Sequence, residues 1–160
     1  MEEGDPVGNG EQPASSIFQE IKDIELDGTM GNEQVIIEES TNPEGKSYVS
    51  FAIQRFHTVA GDWVTEYVWT VDNPSSADVE NGYWNVTGTP AVLLKVQQGN
   101  DGGLSYRIIG YSYGNLREIV ARDNLTQGNV FFYGSSIIEQ AGGQYFSWAL
   151  INGELKLIPY

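Results

Sequence analysis

Short apolar runs broken by Gly and Asn turns constrain this chain more than any other feature. The strongest instance joins residues 145–151 to residues 154–158 through Asn152-Gly153, the dipeptide preferred in a two-residue type I′ turn. That turn sets the register, so Ile151 faces Glu154, Leu150 faces Leu155 and Trp148 faces Leu157. Because side chains alternate, Phe146, Trp148, Leu150, Leu155 and Leu157 share one face, which is expected to be core.

Similar punctuation recurs along the chain. Strands are expected over residues 35–39, 83–87, 91–98, 104–113, 130–133 and 136–140, with a bulge or bend at Gly134. Pro90 lacks a ladder donor and marks a bulge, an edge or a corner. Residues 116–122 read as strand or as one helical turn. Residues 17–26 (IFQEIKDIEL) place Ile17, Ile21 and Ile24 on one helical face, while Ile24 and Leu26 alternate as in a strand, so a short helix entering the first strand is expected there. Residues 73–81, with Pro74, two serines, Asp78 and Glu80, read as a loop. The total is about nine or ten short strands without long crossovers, an all-β antiparallel meander. An up-and-down barrel is favoured over a two-sheet sandwich, because closure removes exposed edges.

Charge divides the chain. Residues 1–44 hold twelve Asp/Glu and one lysine, Lys22, a net of −11; residues 45–160 hold ten Asp/Glu and seven Lys/Arg, a net of −3. Such a balance repels a phosphate backbone, so nucleic acid is not an expected partner. Residues 1–16 have Val7 as their one large aliphatic residue and are expected to be a disordered acidic tail, followed by a single β domain over 17–160. The absence of cysteine excludes disulfides, thiol nucleophiles and cysteine metal sites. No apolar run approaches the ~18–20 residues of a membrane span, and no cofactor is implied.

Chemistry concentrates in residues 48–72, which hold Trp63, Trp69 and the single histidine, His57. With Gly61-Asp62 as a type II′ turn, Phe56 faces Tyr67 and Gln54 faces Trp69. The other face then pairs His57 with Glu66 and brings up Arg55. The first face is aromatic and expected to point inward; the second offers a polar cluster for a small anionic ligand or a solvated ion pair. Trp63, Tyr67, Trp69, Tyr83, Trp84, Tyr111 and Tyr113, with His57, Arg55 and Glu66, are the candidate ligand-binding residues, since Tyr and Trp combine a broad apolar face with a polar tip. No G-x-S-x-G elbow is present, and one histidine cannot form a multi-histidine metal site. The oxygen-rich stretches at Asp72, Asn73, Asp78, Glu80 and at Asn100, Asp101 suit calcium chemically but lack EF-hand spacing, and are read as polar turns. Asn85-Val86-Thr87 and Asn124-Leu125-Thr126 are glycosylation sequons.

Two local resemblances bear on setting. Gly61-Asp62-Trp63 resembles the G-x-W signature of lipocalins over three residues, which implies a barrel architecture, although here at least one strand precedes the motif. The acidic, Gly/Ser/Pro-rich residues 1–16 resemble the spacer that follows the lipidated cysteine of bacterial surface lipoproteins. That resemblance implies an extracellular, periplasmic or cell-surface location, with a signal and anchor lying upstream of Met1. The expected function is a non-enzymatic, secreted or surface-tethered binding domain, with an aromatic-lined cavity or cleft for a sugar or small apolar ligand. The alternative is a structural or assembly protein, such as a surface fibre or phage component.

Overall fold

A computed structural model describes residues 15–27, 31–99, 102–112 and 114–160. All its regular structure is antiparallel strand: β1 (Ser15–Asp23), β2 (Glu33–Thr41), β3 (Ser47–His57), β4 (Asp62–Asp72), β5 (Pro74–Trp84), β6 (Thr89–Gln98), β7 (Leu104–Ser112), β8 (Asn115–Leu125), β9 (Asn129–Tyr133), β10 (Ser136–Ala141), β11 (Gln144–Ile151) and β12 (Glu154–Pro159). These form three four-stranded sheets in sequence order, β1-β2-β3-β4, β5-β6-β7-β8 and β12-β11-β10-β9. No closed barrel is detected among the described strands. No described helix is long and apolar enough to cross a membrane.

The middle sheet is buried on both faces. On β6, Val92, Leu94 and Val96 join Val35, Val49 and Phe51 of the first sheet in one core. Ala91 and Leu93, pointing the other way, join Val130 and Ile137 of the third sheet in a second core. This double burial explains the uninterrupted apolar run Ala91–Leu94, where a sheet with one wet face would alternate. On β7, Ile109 enters the first core and Tyr106 and Ile108 the second.

Polar side chains also join the layers. Lys95 donates from Nζ to Glu80 Oε2 (2.6 Å) and to the Val130 carbonyl (2.7 Å), while Glu80 Oε1 accepts from Phe132 N–H (2.9 Å). The outward backbone groups of edge strand β9 are thereby satisfied by side chains of the middle sheet. Deeper in this interface Arg122 grips Glu139 through two bonds of 2.9 and 2.7 Å. The Tyr106 hydroxyl also donates to Glu139 and accepts from Trp148 Nε1 at 2.9 Å. Burial, reinforced by Glu139, pushes the Tyr106 phenol far above its usual range, so it stays a donor.

Several expectations are corrected here. Residues 17–23 belong to β1 rather than to a helix, because pairing with β2 (Ile21↔Ile36, Lys22↔Val35) outweighs the weak helical periodicity. Residues 1–14 of the expected tail lie outside the described residues, and Ser15 already pairs with Thr41. Residues 74–81 are strand, not loop: Asn73, at φ 53, turns the corner and β5 then lies along β6. Residues 116–122 lie within β8. Of the bulge or bend expected at Gly134, the chain makes the bend: Gly134, at φ 61, occupies the turn between β9 and β10. The Asn152-Gly153 register is as expected, with both residues at positive φ. Its apolar face is only partly core: Trp148 is half-buried and Leu150 is 56% exposed, because this end of the third sheet is not covered by the middle one.

Glu139 is almost fully buried. Its truncation in Glu139→Ala leaves Arg122 and Tyr106 without their shared acceptor and is expected to lower stability by about 3–5 kcal/mol. Urea unfolding at neutral pH measures this; a loss below ~1 kcal/mol would show that the network does not tie the layers together.

Candidate functional site

The loop after β3 sets the geometry of the candidate residues. The hairpin closes through residues 58–61, with Gly61 at φ 70 and its N–H donating to the His57 carbonyl at 2.7 Å. Pairing therefore runs His57↔Asp62, Phe56↔Trp63, Arg55↔Val64 and Gln54↔Thr65, then shifts at a bulge to Ile53↔Tyr67 and Phe51↔Trp69. The bulge leaves Glu66 without a cross-strand partner. The expected split into an aromatic and a charged face is thus overturned. Tyr67 and Trp69 share with Arg55, His57 and Glu66 the face toward the middle sheet while Phe56 and Trp63 lie on the other, because a longer loop and one extra residue on β4 change which side chains coincide.

His57, Arg55 and Glu66 do meet. His57 Nε2 lies 3.1 Å from Glu66 Oε2, and Arg55 Nε lies 3.6 Å from Glu66 Oε1. The Arg55 guanidinium stacks 4.4 Å from the Tyr111 ring centroid, and the Tyr111 hydroxyl donates to Glu66 Oε1 at 3.4 Å. Beside this lies a second group: Tyr67 donates to Glu118 at 2.7 Å, Arg107 Nε sits 3.3 Å from Glu118, and Arg107 covers the Trp69 ring at 4.5 Å. Trp69 in turn stacks on Phe51 at 5.4 Å. Burial, and then the bond to Glu118, pushes the Tyr67 phenol well above its ordinary value. These aromatics are occupied as internal packing surfaces.

The remaining candidates are scattered. Trp84 is fully buried between the middle and third sheets. Tyr83 is exposed near the end of β5. Trp63 is half-buried and meets Phe56 edge-on at 5.5 Å, on the outer face of the first sheet. Tyr113 lies outside the described residues. Arg55 and Glu66 border an open, polar cleft of about 280 Å³ with Asn115 and Leu116. Trp69, Arg107 and Asp123 border another of about 260 Å³. Neither is an aromatic-lined cavity.

Sequence reasoning missed an aromatic surface on the third sheet. Glu139 and Ile137 face the middle sheet, so by alternation the opposite face carries Tyr133, Ile138, Tyr145, Ile158 and, just past β12, Tyr160. Tyr133, Tyr145 and Tyr160 are 62%, 47% and 66% exposed. The Tyr133 and Tyr160 rings meet edge-on at 6.1 Å although they belong to opposite edges of the sheet. Three strand spacings amount to ~14 Å, so the sheet coils to bring them together. Ile138, on the same face, is buried. The signal was present in the alternation of residues 130–133 and 145–160, yet the partner face had to be known before inside and outside could be assigned.

One acidic cluster was also missed. Glu25, Asp27 and Glu33 place carboxylate oxygens within 4.8 Å of one another at the β1–β2 end of the first sheet. Glu33 is 1% exposed; its Oε1 accepts from the N–H groups of Leu26 (2.8 Å) and Asp27 (3.4 Å). Burial pushes its carboxyl up to about 7, with the Asp27 charge adding to the rise and the backbone N–H bonds opposing it. No family model, curated protein or solved structure matches this chain.

Between the ordinary value of 4.5 and about 7, folded Glu33 holds a proton that the unfolded chain has released. Its contribution is therefore complete below pH 4.5 and lost as pH rises through 7. At ~1.4 kcal/mol per pKa unit the full loss is on the order of 3 kcal/mol. Urea unfolding in the presence of a chelator is expected to show the wild type losing more stability from pH 5 to pH 8 than Glu33→Gln does. Equal losses would remove Glu33 as the cause.

Proposed function

We propose that the protein is a non-enzymatic binding domain whose recognition surface is the coiled outer face of the third sheet. The observation that carries this reading is the exposure of Tyr133, Tyr145 and Tyr160 together on one face, while Tyr67, Trp69, Trp84 and Tyr111 are engaged between layers. Exposed tyrosines offer flat apolar faces with polar tips at small entropic cost, the composition of binding surfaces rather than of solvated sheet. The ligand class that fits is a carbohydrate or a small apolar molecule laid across an open face rather than enclosed in a cavity. In this reading the architecture is a stack of open sheets, and the acidic residues 1–14 act as a spacer at an extracellular or cell-surface location.

A second reading, as an assembly component, is favoured by a different observation: Leu150 is 56% exposed on the uncovered end of the face that elsewhere packs on the middle sheet. Burial of that end against another subunit would complete the face.

Amide chemical-shift mapping with a panel of soluble oligosaccharides and short-chain detergents tests both. Shifts confined to β9–β12, and at least a tenfold weaker affinity (~1.4 kcal/mol) in a Tyr133→Ser/Tyr145→Ser/Tyr160→Ser variant, are expected. Shifts centred on the Arg55–Glu66 cleft would overturn the proposed surface. Sedimentation velocity that shows a concentration-dependent oligomer, broken by Leu150→Ser, would instead select the assembly reading.

A further inference from the structure

The acidic cluster at the β1–β2 end is built rather than incidental. Ile24 and Leu26 are buried in the first core, which fixes the backbone on either side of Glu25 and immediately before Asp27. Asn81 of the middle sheet clamps that backbone, accepting from Glu25 N–H at 2.7 Å and donating to its carbonyl at 2.9 Å. Glu33 opens β2 and accepts through Oε1 alone. Its Oε2 is buried and has no hydrogen-bond partner, and the same holds for Glu25 Oε2. A carboxylate oxygen shielded from water without a donor is unfavourable, and for Glu33 the neighbouring Asp27 charge makes it more so.

Such oxygens need a proton or a cation. Oxygens bound to one Ca²⁺ at ~2.4 Å lie no more than ~4.8 Å apart, and Ca²⁺ accepts irregular oxygen shells completed by water. Mg²⁺ requires near-ideal octahedral geometry and gives up its water reluctantly, so an anchored carboxylate triad of this kind suits it less. The three residues supply hard oxygen ligands from two strand ends, at separations within that limit.

We propose that Glu25, Asp27 and Glu33 form a structural Ca²⁺ site that secures the β1–β2 end of the first sheet against the middle sheet. The cation supplies the partner that Glu33 Oε2 and Glu25 Oε2 lack, and through the Asn81 clamp its binding is felt across the layer interface. The inference stands independently of the proposed recognition surface, which lies on the third sheet.

Calorimetric titration of the full chain, stripped with a chelator and measured at pH 8, tests it. The expected result is one Ca²⁺ per chain, at least tenfold weaker Mg²⁺ binding, and a Tm that rises with Ca²⁺ and saturates. Glu33→Gln and, separately, Glu25→Gln are expected to weaken Ca²⁺ at least tenfold, while Asp72→Asn leaves it unchanged. Far-UV circular dichroism checks that each variant folds, and either glutamate variant suffices if the other does not. Absence of a saturable Ca²⁺ effect at millimolar concentration would overturn the site in favour of a carboxyl group that simply keeps its proton. Binding unaffected by both substitutions would overturn it as well.

Discussion

Burial of the middle sheet on both faces is the constraint on which the rest of the structure depends. A sheet with one wet face leaves half its side chains free to be polar; the centres of β6 and β7 have no such freedom. Ala91–Leu94 and Ile108–Ile109 supply apolar atoms to two cores at once. The first and third sheets can then be amphipathic in the ordinary alternating manner, because each needs only one dry face.

Double burial has an electrostatic cost that the layer interfaces meet in two ways. Between the middle and third sheets, Arg122, Tyr106 and Trp148 surround Glu139, while Lys95 and Glu80 cap the backbone of β9. Between the first and middle sheets, Arg55 and Arg107 lie over Tyr111 and Trp69, with their charges balanced by Glu66, Glu118 and Asp123. An arginine spread on an aromatic ring packs as an apolar side chain while its rim still reaches carboxylates. The Glu25–Asp27–Glu33 cluster is the exception, since among the described residues no cationic side chain hydrogen-bonds Glu25 Oε2 or Glu33 Oε2.

The candidate residues in β3 and β4 show how far local pattern carries. That Arg55, His57 and Glu66 would come together was legible from their spacing around a hairpin. Their company was not. A closing loop of residues 58–61 and the bulge at Glu66 moved Tyr67 and Trp69 to the same face. One inserted residue inverts every later side chain, and nothing in the residues 48–72 alone marks which residue is extra. For residues 74–81 the difficulty was of another kind: Pro74, Ser75, Ser76 and Asp78 have poor strand propensity, and long-range pairing with β6 overrides it.

What the sequence alone determined was the all-β class, the antiparallel order and the Asn152-Gly153 hairpin with its register. These follow from alternation, turn chemistry and short connections, all of which act between near neighbours. Only the tertiary structure decided which faces are inside. It made Trp84 core, turned Tyr67 and Trp69 into packing surfaces, and left Tyr133, Tyr145 and Tyr160 exposed. The physical reason is that a strand has two faces with similar chemistry, and burial is a property of what is stacked against each face. That choice is made among strands distant in sequence, by the total apolar area that the three sheets can remove from water together.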